Sequence, residues 1–251
     1  MTVRRAVHLL LATLVACGTG APTASPSPSP APDRAEQLAE VTAAVADVAA
    51  AQAAADPLLA SALSGVREVD FLVARLRDPA TVDTAKDAFP RVRSAVEAVD
   101  LAPLRPAIRE IAFAVDHARA ALAVAERDAP TAWEARYLAA EDRTLVAVRT
   151  YAAEADALAQ VLERYWPTYL EVADVTGTFV EERWLYRSSD EAAAAYEVEL
   201  APHLPELATA QERIAEFRER RDAAARDVNE AVADTREVFR SRPTDDPTVP
   251  A

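Results

Sequence analysis

Cysteine occurs once in this chain, at Cys17, so no disulfide can brace it and any fold rests on its own core. Glycine occurs four times, and only Gly65 and Gly177 lie beyond the first twenty residues. That scarcity excludes a glycine-rich loop cradling a phosphate. Histidine occurs three times, and the residues three before His117 and His203 are Ala114 and Leu200. The Glu-x-x-His pairs of a di-iron bundle are therefore excluded. No stretch alternates apolar and polar residues as a half-buried strand does. Lys86 is the only lysine and Asn229 the only asparagine. What remains is Ala, Leu, Glu and Arg, the strong helix formers.

The charge balance is acidic. Forty-one Asp and Glu face 27 Lys and Arg, a net charge of −14. Binding to nucleic acid depends on cations that neutralise phosphates, so a nucleic-acid partner is excluded. A purely electrostatic hold on anionic lipid is disfavoured for the same reason.

The first residues read "MTVRRAVHLLLATLVAC". Arg4 and Arg5 form a basic start, and Ala6 to Ala16 an apolar run shorter than the roughly 20 residues that span a bilayer. This is the pattern of a secretory signal peptide, with a twin-arginine route left open by Arg4-Arg5. The boundary Leu14-Val15-Ala16-Cys17 resembles the lipobox of bacterial lipoproteins. The resemblance implies cleavage before Cys17, diacylation of its sulfur with chains such as palmitate, and attachment to the extracytoplasmic face of the cell membrane. An ordinary signal peptide with an incidental cysteine is the alternative. Loss of residues 1–16 would take the net charge to −16, since two arginines and no acid leave. The preference for Ala and Arg, with a single lysine, resembles the coding bias of a GC-rich, actinobacterial genome.

Gly18 to Asp33, "GTGAPTASPSPSPAPD", is rich in Pro, Ser and Ala. Such a tract cannot bury a core and favours extended conformations. At about 3.1 Å per residue it gives a spacer of up to roughly 50 Å. Residues 17–33 are thus expected to be a lipidated cysteine and a disordered linker, 34–240 a helical domain and 241–251 a disordered tail.

Within 34–240 apolar residues recur at spacings of three and four. Leu38, Val41, Val45 and Val48 predict a first helix, entered through a capping box of Asp33 and Glu36. Asp56-Pro57 predicts the start of a second, because Pro suits a first helical position. It continues through Leu59, Leu63, Val66, Val69, Val73 and Leu76 to Asp78-Pro79. A third carries Val82, Phe89, Val92, Val96 and Val99 with a kink at Pro90. A fourth follows the turn 100–106 and runs to about 128. A fifth runs from Thr131 to Trp166 with Glu141 at an inward position, and Pro167 kinks or restarts it. Ser188 and Glu191 form a second capping box, opening a short helix to Leu200. The last helix, 206–240, holds its heptad for over four repeats, with Arg221 and Thr235 as polar intrusions. Short turns between such helices predict antiparallel neighbours. The expected fold is an all-α, elongated antiparallel bundle with coiled-coil-like heptad packing.

Nothing here spells out catalysis. Cys17 is assigned to lipid, and no nucleophile motif surrounds either later histidine. Paired carboxylates could perform glycoside chemistry, but Glu141 and Glu181-Glu182 are named only because they are carboxylates. Catalytic residues, a metal site and cofactors are not expected, and the chain is not expected to be an enzyme. The uneven feature is aromatic: Tyr165, Trp166, Tyr169, Phe179, Trp184, Tyr186 and Tyr196 fall close together. These rings are either a core layer or a surface for a partner or ligand. The expected role is a membrane-anchored helical scaffold or protein-interaction module of the cell envelope, with a partner protein or self-association. The alternative is a lipoprotein that binds a lipid or small apolar ligand in an aromatic pocket.

Overall fold

The computed structural model describes residues 34–127 and 131–243. The expected signal segment, Cys17, the linker through Asp33 and the end of the tail lie outside those residues. The described chain is all α-helical, with six helices packed as a bundle and no strand among the described residues. They are α1 (Arg34–Arg77), α2 (Ala85–Glu97), α3 (Leu104–Glu126), α4 (Ala132–Glu182), α5 (Ser189–Leu200) and α6 (Leu204–Arg240). Short 3-10 turns, Val82–Thr84 and Arg183–Leu185, precede α2 and follow α4.

The break expected at Asp56-Pro57 does not occur: α1 runs through Pro57, as α4 runs through Pro167 and α2 through Pro90. Two physical facts account for this. The inward seam of α1 keeps its phase across the proline, with Val48, Gln52, Ala55, Leu59, Ala62, Val66 and Val69 all buried at spacings of three and four. All three prolines are also exposed, which puts each disrupted turn where water can reach it. An interior proline costs about 3 kcal/mol, and burial along the rest of the seam outweighs it at roughly 1.5–3 kcal/mol per large apolar side chain.

The chain divides into two compact units, and α1, α3, α4 and α6 contribute residues to both. One unit takes residues up to Ala54, Ala107–Glu154 and Arg221 onward. Its core is mainly aliphatic, with Val41 and Val48 from α1, Ile108, Ile111 and Val115 from α3, Leu138, Leu145 and Val148 from α4 and Val228 from α6, beside buried Trp133 and Tyr151. Arg119 bonds Asp142 and Arg149 pairs with Asp116, each at 3.0 Å, so α3 and α4 run antiparallel. Trp133 Nε1 donates to the Val238 carbonyl at 3.0 Å, and the Thr144 and Thr235 hydroxyls bond at 3.0 Å. These two contacts set α4 and α6 antiparallel as well. Thr235, an intrusion in the α6 heptad, is thus satisfied by a partner directly across the core, which fixes the register of the two helices.

This unit also holds two carboxylates away from water. Glu134 closes a capping box: the Thr131 N–H donates to it at 2.7 Å, the Glu134 N–H donates to Thr131 Oγ1 at 3.3 Å, and Arg34 pairs with it at 3.3 Å. Glu141 is buried at the inward position expected of it. Burial pushes its carboxyl above the usual range, partly countered by a hydrogen bond with Tyr137.

The other unit takes Ala55–Pro106 and Ala155–Arg220. Its core is bulkier, built on Leu72, Leu76, Leu158, Leu162, Tyr169, Phe179 and Tyr196. Both glycines of the helical region serve this bulk. A Cβ on Gly65 would lie 2.8 Å from the Trp166 ring and from Val99, and one on Gly177 would lie 2.8 Å from the Phe89 ring. Each glycine is the hollow that admits a large side chain from a neighbouring segment.

Candidate functional site

The seven aromatics singled out in the sequence have different fates. Tyr165, Trp166, Tyr169, Phe179 and Tyr196 are buried, and these five belong to the core. The reason is helical phase. Leu162, Trp166, Tyr169, Thr176 and Phe179 all lie on the inward seam of α4. The rings pack on one another: Phe179 stacks on Tyr186 at 5.3 Å and meets Tyr196 at 5.1 Å, and Trp166 lies 6.4 Å from Tyr169. The Tyr196 hydroxyl bonds Thr176 at 2.8 Å, and burial raises its pKa to about 12. The Tyr169 hydroxyl lies beside Asp70, whose own carboxyl is pushed up by burial and pulled partly back by Gln211 at 2.7 Å.

Trp184 behaves differently. It is 79% exposed, and Leu185 beside it is 53% exposed. Both fall in the 3-10 turn after α4 ends, where the inward seam no longer dictates direction. Leu185 lies outside the residues singled out in the sequence.

The turn is firmly held. Arg183 donates to Asp83 at 2.5 Å and to the Tyr186 carbonyl at 3.1 Å. Ser189 donates to the second oxygen of Asp83 at 2.6 Å. These contacts, the Ser189 bond first, hold the Asp83 carboxyl below its ordinary pKa. Ser188 caps α5 by accepting from the Glu191 N–H at 3.1 Å, and the Glu191 side chain accepts from the Arg187 N–H at 2.9 Å. The predicted capping box is therefore present, with its return bond one residue earlier. Tyr186 closes the turn by stacking on Phe179. Its hydroxyl is shifted upward, first by burial and then by Glu199, Glu182 and Glu191. Glu182 and Glu191, which flank the turn in sequence, thus act with Glu199 on its closing tyrosine.

The other candidates carry no arrangement of groups. Asp116 is paired with Arg149, and His117 beside it is exposed. His203 lies 3.6 Å from Glu171. Glu181 and Glu182 are exposed on one unit, while Glu141 is buried in the other. Among the described residues no group of three His, Cys, Asp or Glu side chains could hold a metal. Arg221 is half-buried and pairs with its neighbour Asp222 at 3.0 Å.

Among the described helices, α1 alone is long and apolar enough to cross a membrane by length and composition. Its most apolar window has a mean hydropathy of 1.3, and a third of it is buried in the structure. The chain is thus weakly compatible with membrane association. Comparison with known proteins finds no matching family model, no similar curated protein and no similar solved structure.

Proposed function

We propose that the chain is an extracytoplasmic lipoprotein of the cell envelope, held on the membrane through acyl chains on Cys17, and that its helical domain is a protein-interaction module. The anchor rests on the signal-like segment ending in Leu14-Val15-Ala16-Cys17 and on the Pro- and Ser-rich residues that follow. The observation that carries the interaction role is the exposed Trp184-Leu185 pair on a turn fixed by Asp83, Arg183 and Ser189. A soluble domain gains nothing by ordering a bare indole in water, whereas Trp is among the side chains most enriched at interface hot spots. A pocket for an apolar ligand draws no comparable support, because the rings that would line it are packed on one another.

The test is a mass measurement on protein extracted from its native envelope in mild detergent. The denatured mass should equal the chain from Cys17 onward plus acyl groups. The native mass should include a second polypeptide or a further copy. An unmodified Cys17 overturns the anchor, and a lone monomer in detergent and after crosslinking in cells overturns the interaction role.

A further inference from the structure

On the reading that this domain is an interaction module, we infer that the Trp184-Leu185 turn docks a cationic polypeptide segment bearing large apolar side chains. Two independent features specify that partner. Trp184 and Leu185 offer adjacent exposed apolar surface, which needs an apolar counterpart. The charged frame around them is acidic. Glu182, Glu191 and Glu199 all act on the neighbouring Tyr186 hydroxyl, and Glu181 and Asp190 are exposed on the flanking helix ends. Arg183, within the turn, is engaged with Asp83. Arg187 is exposed beside them and leaves the frame acidic on balance.

This frame selects among occupants. An anionic lipid surface is repelled by the carboxylates at the depth where the indole would insert. A second copy of this chain carries the same acidic turn, and a two-fold contact would set like charges face to face. A basic segment with apolar side chains satisfies both features, because its cations meet exposed carboxylates such as Glu182 and Glu199. The turn is already fixed at Asp83, Ser188 and Phe179, so little ordering is needed on binding.

The probe is a fluorescently labelled, 14-residue helical peptide with one leucine face and one lysine face. It is titrated against the full chain in phosphatidylcholine nanodiscs, with empty discs as the blank. Trp184→Ala should weaken binding at least tenfold while leaving the thermal midpoint unchanged. Glu182→Gln with Glu199→Gln should weaken it and flatten its salt dependence. Equal binding by Trp184→Ala, or by a peptide with serine in place of leucine, overturns the inference. So does a shift of Trp184 emission on adding anionic vesicles or raising protein concentration, with none on adding peptide. If the peptide fails while a polypeptide co-purifies from the envelope, this inference falls and the interaction role stands.

Discussion

Gly65 and Gly177 occupy the same kind of position, yet substitution should separate them. Replacing a mid-helix glycine by alanine gains about 1 kcal/mol of helix propensity. Against this stands the clash of the new methyl. At Gly65 it meets the broad, buried Trp166 indole and Val99 together, at 2.8 Å each. Neither can withdraw without moving its own helix or turn, and overpacking of this kind costs about 1–3 kcal/mol. At Gly177 the contact is the tip of the half-buried Phe89 ring, which can pivot. Gly65→Ala should lower the thermal midpoint, and Gly177→Ala should leave it unchanged or raise it. Equal loss in both would mean that the Phe89 ring is as fixed as the indole.

Glu141 gives a second prediction at this scale, with a definite sign. Its carboxyl is raised by burial, so between the unfolded and folded pKa values the folded chain holds a proton that the unfolded chain has lost. Stability must then fall as pH rises through that window. Glu141→Gln keeps an acceptor for Tyr137 and removes the titration. The variant should be more stable than the wild type at pH 7, and the gap should close as pH falls below the ordinary carboxylate range. Denaturant unfolding across that range reads it directly. A gap independent of pH would mean that the Glu141 carboxyl titrates alike in the folded and unfolded chains.

At the scale of elements, Pro57 is the clearest case of a local rule overruled. Asp-Pro is a strong start signal for a helix, and the sequence reading divides α1 there. What decides against a break is the seam, which continues without a phase slip from Val48 to Leu76. That phase was visible in the sequence, since Leu59, Val66, Val69, Val73 and Leu76 all stood in it. The exposure of Pro57 was not, because it depends on which face the partner helices cover. Because the backbone is already helical there, Pro57→Ala should restore a hydrogen bond and raise stability, by as much as about 3 kcal/mol. Loss of stability would mean that the proline's fixed φ is holding a bend the packing needs. The helix-end signals were more reliable: Ser188 and Glu191 cap α5 as read, and α6 spans Leu204–Arg240 against the expected 206–240. The Thr131–Glu134 box has the same sequence signature. Other features had no sequence signal at all. Thr144 across from Thr235, and Asp83 clamping Arg183 and Ser189, join residues far apart in the chain. The aromatic cluster was legible as a cluster. Its division into five core rings and one exposed indole needed the end of α4, which no glycine or proline marks.

At the scale of the whole molecule, two features could hold the chain on a membrane, and they make opposite predictions. One is α1, which passes the test of length and hydropathy. The other is Cys17. If α1 crossed the bilayer, Val41, Val48, Leu59 and Val66 would have to leave the cores they now share with α3 and α4 segments, at roughly 1.5–3 kcal/mol each. Asp47 and Asp56 would enter hydrocarbon, at about 3 kcal/mol apiece near its centre. Membrane attachment of the folded domain through acyl chains demands none of this. Each buried methylene contributes about 0.8 kcal/mol, and two chains give a stable hold where one does not. Cys17→Ala in a chain whose signal has been exchanged for a cleavable secretory one should therefore release the protein to the soluble fraction. The thermal midpoint of its helical domain should be unchanged, because among the described residues the buried ones lie at Gln37 and beyond. Retention of that variant in membranes washed with alkaline carbonate would assign the anchor to α1 and would require the bundle to open on insertion. Release would leave α1 as a core helix whose hydropathy reflects its alanine content.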